Sequence, residues 1–217
     1  MIIDTLKKRN FLHNTAVLFL LVVFVFASAL PVAGHAGSID HKVSKDESGI
    51  WNPNVYRGLM GVLSIAELGG ALWEGSDSRL GKTLWQTMDA DILAVSSTTA
   101  MKYAFTRERP SETSNPNNWF AHGSNYSFPS TEAAFSASLV TPFVLEYAGE
   151  HPTAYGFLLL PLYVGIGRVK NQAHWQTDVL AGWGVGGLSG WFAHSRETPL
   201  IVQILPNGVV VGLKTRF

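Results

Sequence analysis

Cysteine is absent from the chain, which excludes disulfides, thiolate metal sites and a cysteine nucleophile. Charge is scarce. Only 15% of the 217 residues are Asp, Glu, Lys or Arg, against roughly 25% in an ordinary soluble domain. The charge that exists is balanced, with sixteen basic and sixteen acidic residues. That balance excludes a protein that holds nucleic acid by bulk positive charge. Apolar residues are plentiful, at 47%, so the chain has a core to bury and is not intrinsically disordered. Its length suits one domain with short appendages.

The N-terminus carries Lys7, Lys8 and Arg9 ahead of an apolar run from Thr15 to about Ala33. Small residues follow at Val32-Ala33-Gly34-His35-Ala36. A basic start, an apolar middle and a small-residue exit describe a secretory signal peptide. The run is also close to the ~20 residues that a membrane span needs. Residues 1–36 are therefore either a signal peptide or an N-terminal membrane anchor. Both send the remainder across a bacterial-type inner membrane to its periplasmic side.

Residues 37–54 are polar, mixed in charge and read as a linker. Residues 55–195 carry helical patterns, with predicted helices at Val55–Trp73, Leu80–Phe105, Ser130–Tyr147, Thr153–Ile166 and Asp178–Ala193. Arg109-Pro110 forbids further continuation of the second helix. Residues 110–129, rich in Ser, Asn, Pro and Gly, form a loop. In residues 196–217, Ile201–Leu205 and Val209–Leu213 flank Pro206-Asn207-Gly208, a hairpin signal. The predicted fold class is mainly α: a helical bundle with a short C-terminal β-hairpin. Most apolar stretches after residue 50 are shorter than a full span, which favours a soluble helical core.

Three blocks carry chemistry. The first is Lys102-x6-Arg109-Pro110, a spacing near two helical turns that would put both cations on one side. In the second, Phe128-Pro129-Ser130-Thr131-Glu132, Ser130 is a helix N-cap and the first-turn amides offer an anion site. The third is Arg168-x5-His174-x3-Asp178. His and Asp four apart share a helical face, so the carboxylate can fix the imidazole tautomer and free the other nitrogen as a nucleophile. Arg168 brings a forked donor suited to phosphate oxygens. Alone, each block has an ordinary structural reading: a solvated face, a simple cap, a loop histidine. Together they gather cations, amides and a histidine at helix ends. That constellation fits a phosphate-like oxyanion.

These blocks resemble the type 2 phosphatidic acid phosphatase (PAP2) superfamily, whose pattern runs K-x6-R-P, P-S-G-H and S-R-x5-H-x3-D. The first block matches in full. The third matches at Arg168, His174 and Asp178, with Gly167 in place of Ser. The second matches at Pro129 and Ser130, then departs: Thr131 replaces Gly and Glu132 replaces His. The resemblance implies attack of His174 on phosphorus, a phosphohistidine, and its hydrolysis by water. Asp178 would orient His174. Lys102, Arg109, Ser130, Thr131 and Arg168 would bind phosphate. No metal or other cofactor is implied.

The family histidine at position 132 protonates the leaving group. A carboxylic acid can do so if it stays protonated; burial favours that, and the neighbouring cations oppose it. Glu132 is the expected acid, with His122 as the alternative. The expected substrate is a phosphorylated lipid or a small phosphoester, with membrane association and no nucleic acid partner. Two other readings stand beside it: a soluble periplasmic acid phosphatase, and a non-catalytic lipid-phosphate-binding protein. Gly182, Gly186 and Gly190, spaced by four, predict close helix contact rather than a dinucleotide loop, because no strand precedes them.

Overall fold

The computed structural model describes residues 39–121, 126–196, 202–205 and 208–211. The expected signal or anchor, His122 and the Pro206-Asn207 turn lie outside them. Five helices make the body: α1 (Pro53–Glu74), α2 (Arg79–Phe105), α3 (Thr131–Tyr147), α4 (Leu159–Lys170) and α5 (Gln176–His194). The domain is mainly α, as its patterning predicts. Val202–Leu205 and Gly208–Val211 pair antiparallel, Val202 opposite Val211.

Local chemistry sets the helix starts. The Asn52 side chain accepts from the Asn54 amide at 2.9 Å, and Pro53 occupies the first turn of α1, where its missing N–H costs nothing. Ser78 Oγ accepts from the Gly81 amide at 2.9 Å to open α2. The expected helix at Thr153–Ile166 is divided: Pro152–Leu158 is a 3-10 helix, and α4 follows it.

Helix α3 is the centre of the bundle. It packs most extensively on α5, and both pack on α2. The α3–α5 seam depends on missing side chains. A Cβ at Gly182 would lie 2.4 Å from the Ser130 carbonyl oxygen, and one at Gly186 would lie 2.1 Å from that of Ala134. At Gly190 it would meet Thr141 Cβ at 2.5 Å. The glycine stripe thus lets the two backbones touch at Gly182 and Gly186, and lets the Thr141 side chain press against α5 at Gly190. That contact brings the start of α3 beside the start of α5, and the Ser130 amide donates to the Asp178 carbonyl at 2.9 Å.

Helix α1 is held more loosely, on one stripe. Its buried residues are Tyr56, Met60, Glu67 and Ala71. Tyr56 and Met60 pack with Val164 of α4. Val55, Leu59, Val62, Ile65, Leu72 and Trp73 of the same helix are exposed.

Residues 37–54 are not a free linker in their described part. Asp40 is buried and accepts from the Thr177 amide at 2.8 Å. Val43 accepts from Gln172 Nε2 at 2.7 Å, and the Asp46 amide donates to Lys170 O at 3.0 Å. The segment straps the end of α4 to the start of α5. Backbone hydrogen bonds reached from distant loops leave no trace in local composition, so a polar stretch reads as a linker.

Gly186→Ala should destabilise the domain by about 1–3 kcal/mol through overpacking. Gly187→Ala, whose Cβ would meet nothing within 4 Å, should be neutral or slightly stabilising. Paired thermal melts check this.

Candidate active site

Helix α2 stops at Phe105. Thr106 turns left-handed, with φ 38°, and its amide closes the helix on Lys102 O at 3.0 Å. Arg109 therefore does not continue the helical face of Lys102, contrary to the spacing argument. It arrives from the loop, where Nη1 donates to Ala173 O at 3.3 Å and Nη2 to Tyr126 O at 3.4 Å. Lys102 still meets it. Its ammonium donates to the carbonyls of Pro129 at 2.7 Å, Tyr126 at 3.1 Å and Ser127 at 3.4 Å. Both cations converge on the turn that leads into α3.

His174 is buried in the turn before α5. Its Nδ1 lies 2.7 Å from the carbonyl oxygen of Ser127. A carbonyl can only accept, so Nδ1 carries the proton and Nε2 presents a lone pair. Nε2 is buried without a hydrogen-bond partner among the described residues. Burial pushes the imidazole pKa well below its ordinary value, and the charges of Arg168 and Lys102 push the same way, against the opposing pull of Glu132. The ring is neutral at physiological pH.

Asp178 does not do the orienting that its spacing suggests. Its Oδ2 is 3.9 Å from Nδ1, because His174 precedes the helix. Instead Oδ2 accepts from Ser127 Oγ at 2.5 Å and from the Trp175 amide at 2.8 Å. Asp178 fixes the two segments that flank the imidazole: the Ser127 turn, whose carbonyl sets the tautomer, and the first turn of α5. Its Oδ1 accepts from Arg107 Nη1 at 2.6 Å. Arg107 is wholly buried and also donates to Asp40 Oδ2 at 2.7 Å, Thr177 Oγ1 at 2.9 Å and twice to Pro116 O. Trp119 covers its guanidinium at 4.4 Å from the ring centroid.

Glu132 and Arg168 complete the cluster. Glu132 Oε1 is 3.1 Å from Arg168 Nη1 and 3.1 Å from Arg57 Nη2, and Oε2 is 3.9 Å from His174 Nε2. Burial favours a protonated carboxyl, but the guanidinium groups of Arg168 and Arg57 oppose it, and the pKa of Glu132 lies below the usual range. Glu132 is thus ionised: of the two opposing influences expected at this position, the neighbouring cations prevail over burial. Arg168 is fixed from behind, donating to Tyr56 Oη at 3.0 Å, which in turn donates to Asn171 Oδ1 at 2.8 Å. Ser130 caps α3, its Oγ accepting from the Ala133 amide at 3.3 Å. Thr131 opens that helix, among first-turn amides that have no acceptor in their own helix.

Three buried nitrogens in this cluster, Arg109 Nε, Arg168 Nε and His174 Nε2, have no hydrogen-bond partner among the described residues. Such groups are costly unless something accepts from them or donates to them. Two guanidinium donors and an imidazole lone pair suit a tetrahedral oxyanion whose central atom is electrophilic. The family model for the PAP2 superfamily matches residues 88–199. The chain belongs to the PAP2 superfamily. It is also similar to a lipid A 1-phosphatase of Porphyromonas gingivalis, at 33% identity over 134 residues, which is 61% of this chain and 27% of the relative. The chain thus spans about a quarter of that relative's length. No solved structure matches it.

Within this PAP2 domain, the sequence motifs and the geometry meet at Lys102, Arg109, Ser130, Glu132, Arg168, His174 and Asp178. Arg107, Ser127, Tyr56 and Asp40 escape a motif reading. Arg107 stands two places before Arg109, and its burial beside three hydrogen-bonding side chains was the missing signal. No group of three His, Asp or Glu side chains is placed to hold a metal ion among the described residues.

Burial, and then the charge of Arg109, bring the pKa of Lys102 down to about 8. Lys102 is therefore charged below about pH 8 and loses its charge above it. Affinity for inorganic vanadate should fall as pH rises through that value, and Lys102→Arg should move the fall to higher pH. Binding titrations across pH 6 to pH 10, at about those limits, check this.

Proposed function

We propose that this chain is a phosphatase that cleaves a lipid-linked phosphomonoester or diphosphate by way of a phosphohistidine on His174. The observation that carries the reading is the neutral, tautomer-fixed imidazole, whose buried Nε2 has no hydrogen-bond partner among the described residues and which lies within the influence of the Arg168 and Lys102 charges. Neutrality makes it a nucleophile; the guanidinium groups stabilise charge as it develops on phosphorus-bound oxygens.

In the first step Nε2 forms a bond to phosphorus. The bond to the leaving oxygen breaks, and its electron pair goes to that oxygen, which takes a proton from the Glu132 carboxyl. In the second step water attacks phosphorus and gives its proton to Glu132. The P–N bond breaks and its electrons return to Nε2. Glu132 must be protonated for the first step, yet it is ionised in the arrangement described. The substrate supplies the proton: a phosphomonoester, with a second pKa of about 6, arrives as a monoanion in mildly acidic solution. An acidic rate optimum follows.

The lipid reading rests on two supports. One is the name of the relative. The other is α1, whose apolar side is exposed along its length and which is long and apolar enough to cross a membrane by length and composition. An exposed apolar surface of that extent marks a contact with lipid or partner. With the basic and apolar N-terminus, it favours a membrane-associated enzyme on the periplasmic side over a soluble acid phosphatase.

His174→Ala should abolish phosphate release from every member of a panel of lipid and soluble phosphates. Glu132→Gln should slow poor leaving groups about 10²- to 10⁴-fold, the usual worth of a general acid, and slow an aryl phosphate with a good leaving group much less. Release by the wild type from none of the panel would favour a non-catalytic binder. Equal slowing of both substrate types would remove Glu132 from the acid role.

A further inference from the structure

The carboxylate of Glu132 occupies an unusual place. It is an anion among cations drawn from several surrounding elements: Arg57 from α1 and Arg168 from α4 at contact distance, with its charge also felt by Lys102 of α2 and Arg109 of the loop. It takes a donor of Arg168 and faces the lone-pair nitrogen of His174. Those are the groups that a phosphate bound for attack would need. Two anions cannot both sit against Arg168 and Nε2 without strong like-charge repulsion. One must leave.

The exit is built in. Oxygen Oε1 of Glu132 is shared at equal distance, 3.1 Å, between Arg168 and Arg57. The two guanidinium groups differ in setting: the Arg168 side chain is 4% exposed and that of Arg57 is 50% exposed. The carboxylate can give up the inner partner and keep the outer one by a small side-chain rotation. Arg57 comes from α1, outside residues 88–199 that match the family model.

We propose that Glu132 stands in for substrate phosphate on Arg168, and that Arg57 is the positioning residue onto which Glu132 moves when phosphate enters. Held there, the carboxyl stays at the rim of the site, where a leaving group departs. Arg57 acts through Glu132 and does not touch phosphate. The idea rests on the phosphatase reading for its substrate, but its test needs no turnover.

The probe is inorganic phosphate, titrated calorimetrically into the full chain at neutral pH. Glu132→Gln removes the competing charge and should tighten phosphate about tenfold, the worth of one modest charged contact. Arg57→Ala leaves Glu132 with Arg168 as its remaining guanidinium partner, so it should weaken phosphate about three- to tenfold by the same scale. In the Glu132→Gln background, Arg57→Ala should change affinity less than about twofold, since the two act as one unit. Arg57→Lys should restore part of the loss. Because Arg57 is half exposed, its replacement should leave the thermal melt unchanged, and Arg57→Gln serves as a second variant.

Equal weakening by Arg57→Ala in both backgrounds would overturn the proposal, because Arg57 would then contact phosphate directly. Failure of Glu132→Gln to tighten binding, or no binding by any variant, would overturn it as well. A chain that shows the expected pattern but releases phosphate from no substrate would keep this inference and lose the phosphatase reading.

Discussion

The site depends on one buried ion pair. Arg107 and Asp178 are both wholly buried and 2.6 Å apart. Arg107 also holds Asp40, so a single guanidinium joins the N-terminal strap, the 106–121 loop and the start of α5. The Trp119 and Trp175 rings also pack near its guanidinium, with centroids 4.4 Å and 5.5 Å away. Removing one member of such a pair strands the other as a buried charge, which typically costs about 3–5 kcal/mol. Asp178 spends its second oxygen on Ser127 and on the Trp175 amide. The carbonyl that fixes the His174 tautomer thus rests on Ser127, which rests on Asp178, which rests on Arg107. The geometry around His174 and local stability share this chain of contacts.

A second constraint is electrostatic. Burial and charge pull in opposite directions at the two groups that matter most. At His174, burial wins and the ring is neutral. At Glu132, less enclosed and touching two guanidinium groups, charge wins and the carboxyl is ionised. The pair therefore combines a neutral imidazole with an ionised carboxylate. Protonation must accompany substrate, which ties the proposed chemistry to the ionisation of the phosphate itself.

Much of this was legible in the sequence, and the limits have physical causes. Helix existence followed from apolar periodicity, and Ser130 as a cap followed from its place before an apolar run. The glycines of α5, spaced by four, predicted close contact with another helix, and the structure identifies that helix as α3. The errors arose where the chain leaves regular structure. Nothing in Lys102-x6-Arg109 announces that Thr106 will turn left-handed, so helical geometry was extended four residues too far. The His174–Asp178 spacing implied direct contact, but His174 lies before the helix and the partner is a backbone carbonyl. Such partners have no sequence signature. Arg107, Tyr56 and Asp40 are set by tertiary contacts of 67 residues or more, beyond any local pattern.

The central claim is that Nε2 of His174 forms the bond to phosphorus. The direct measurement is an alkaline quench of the enzyme during turnover of a lipid phosphate, followed by mass-spectrometric mapping of phosphorylated peptides. The account predicts a phosphoryl group on His174, absent from His174→Ala and accumulating when the second step is slowed by Glu132→Gln with a good leaving group. Turnover without any phosphoryl group on His174, or with one on a different residue, would contradict it.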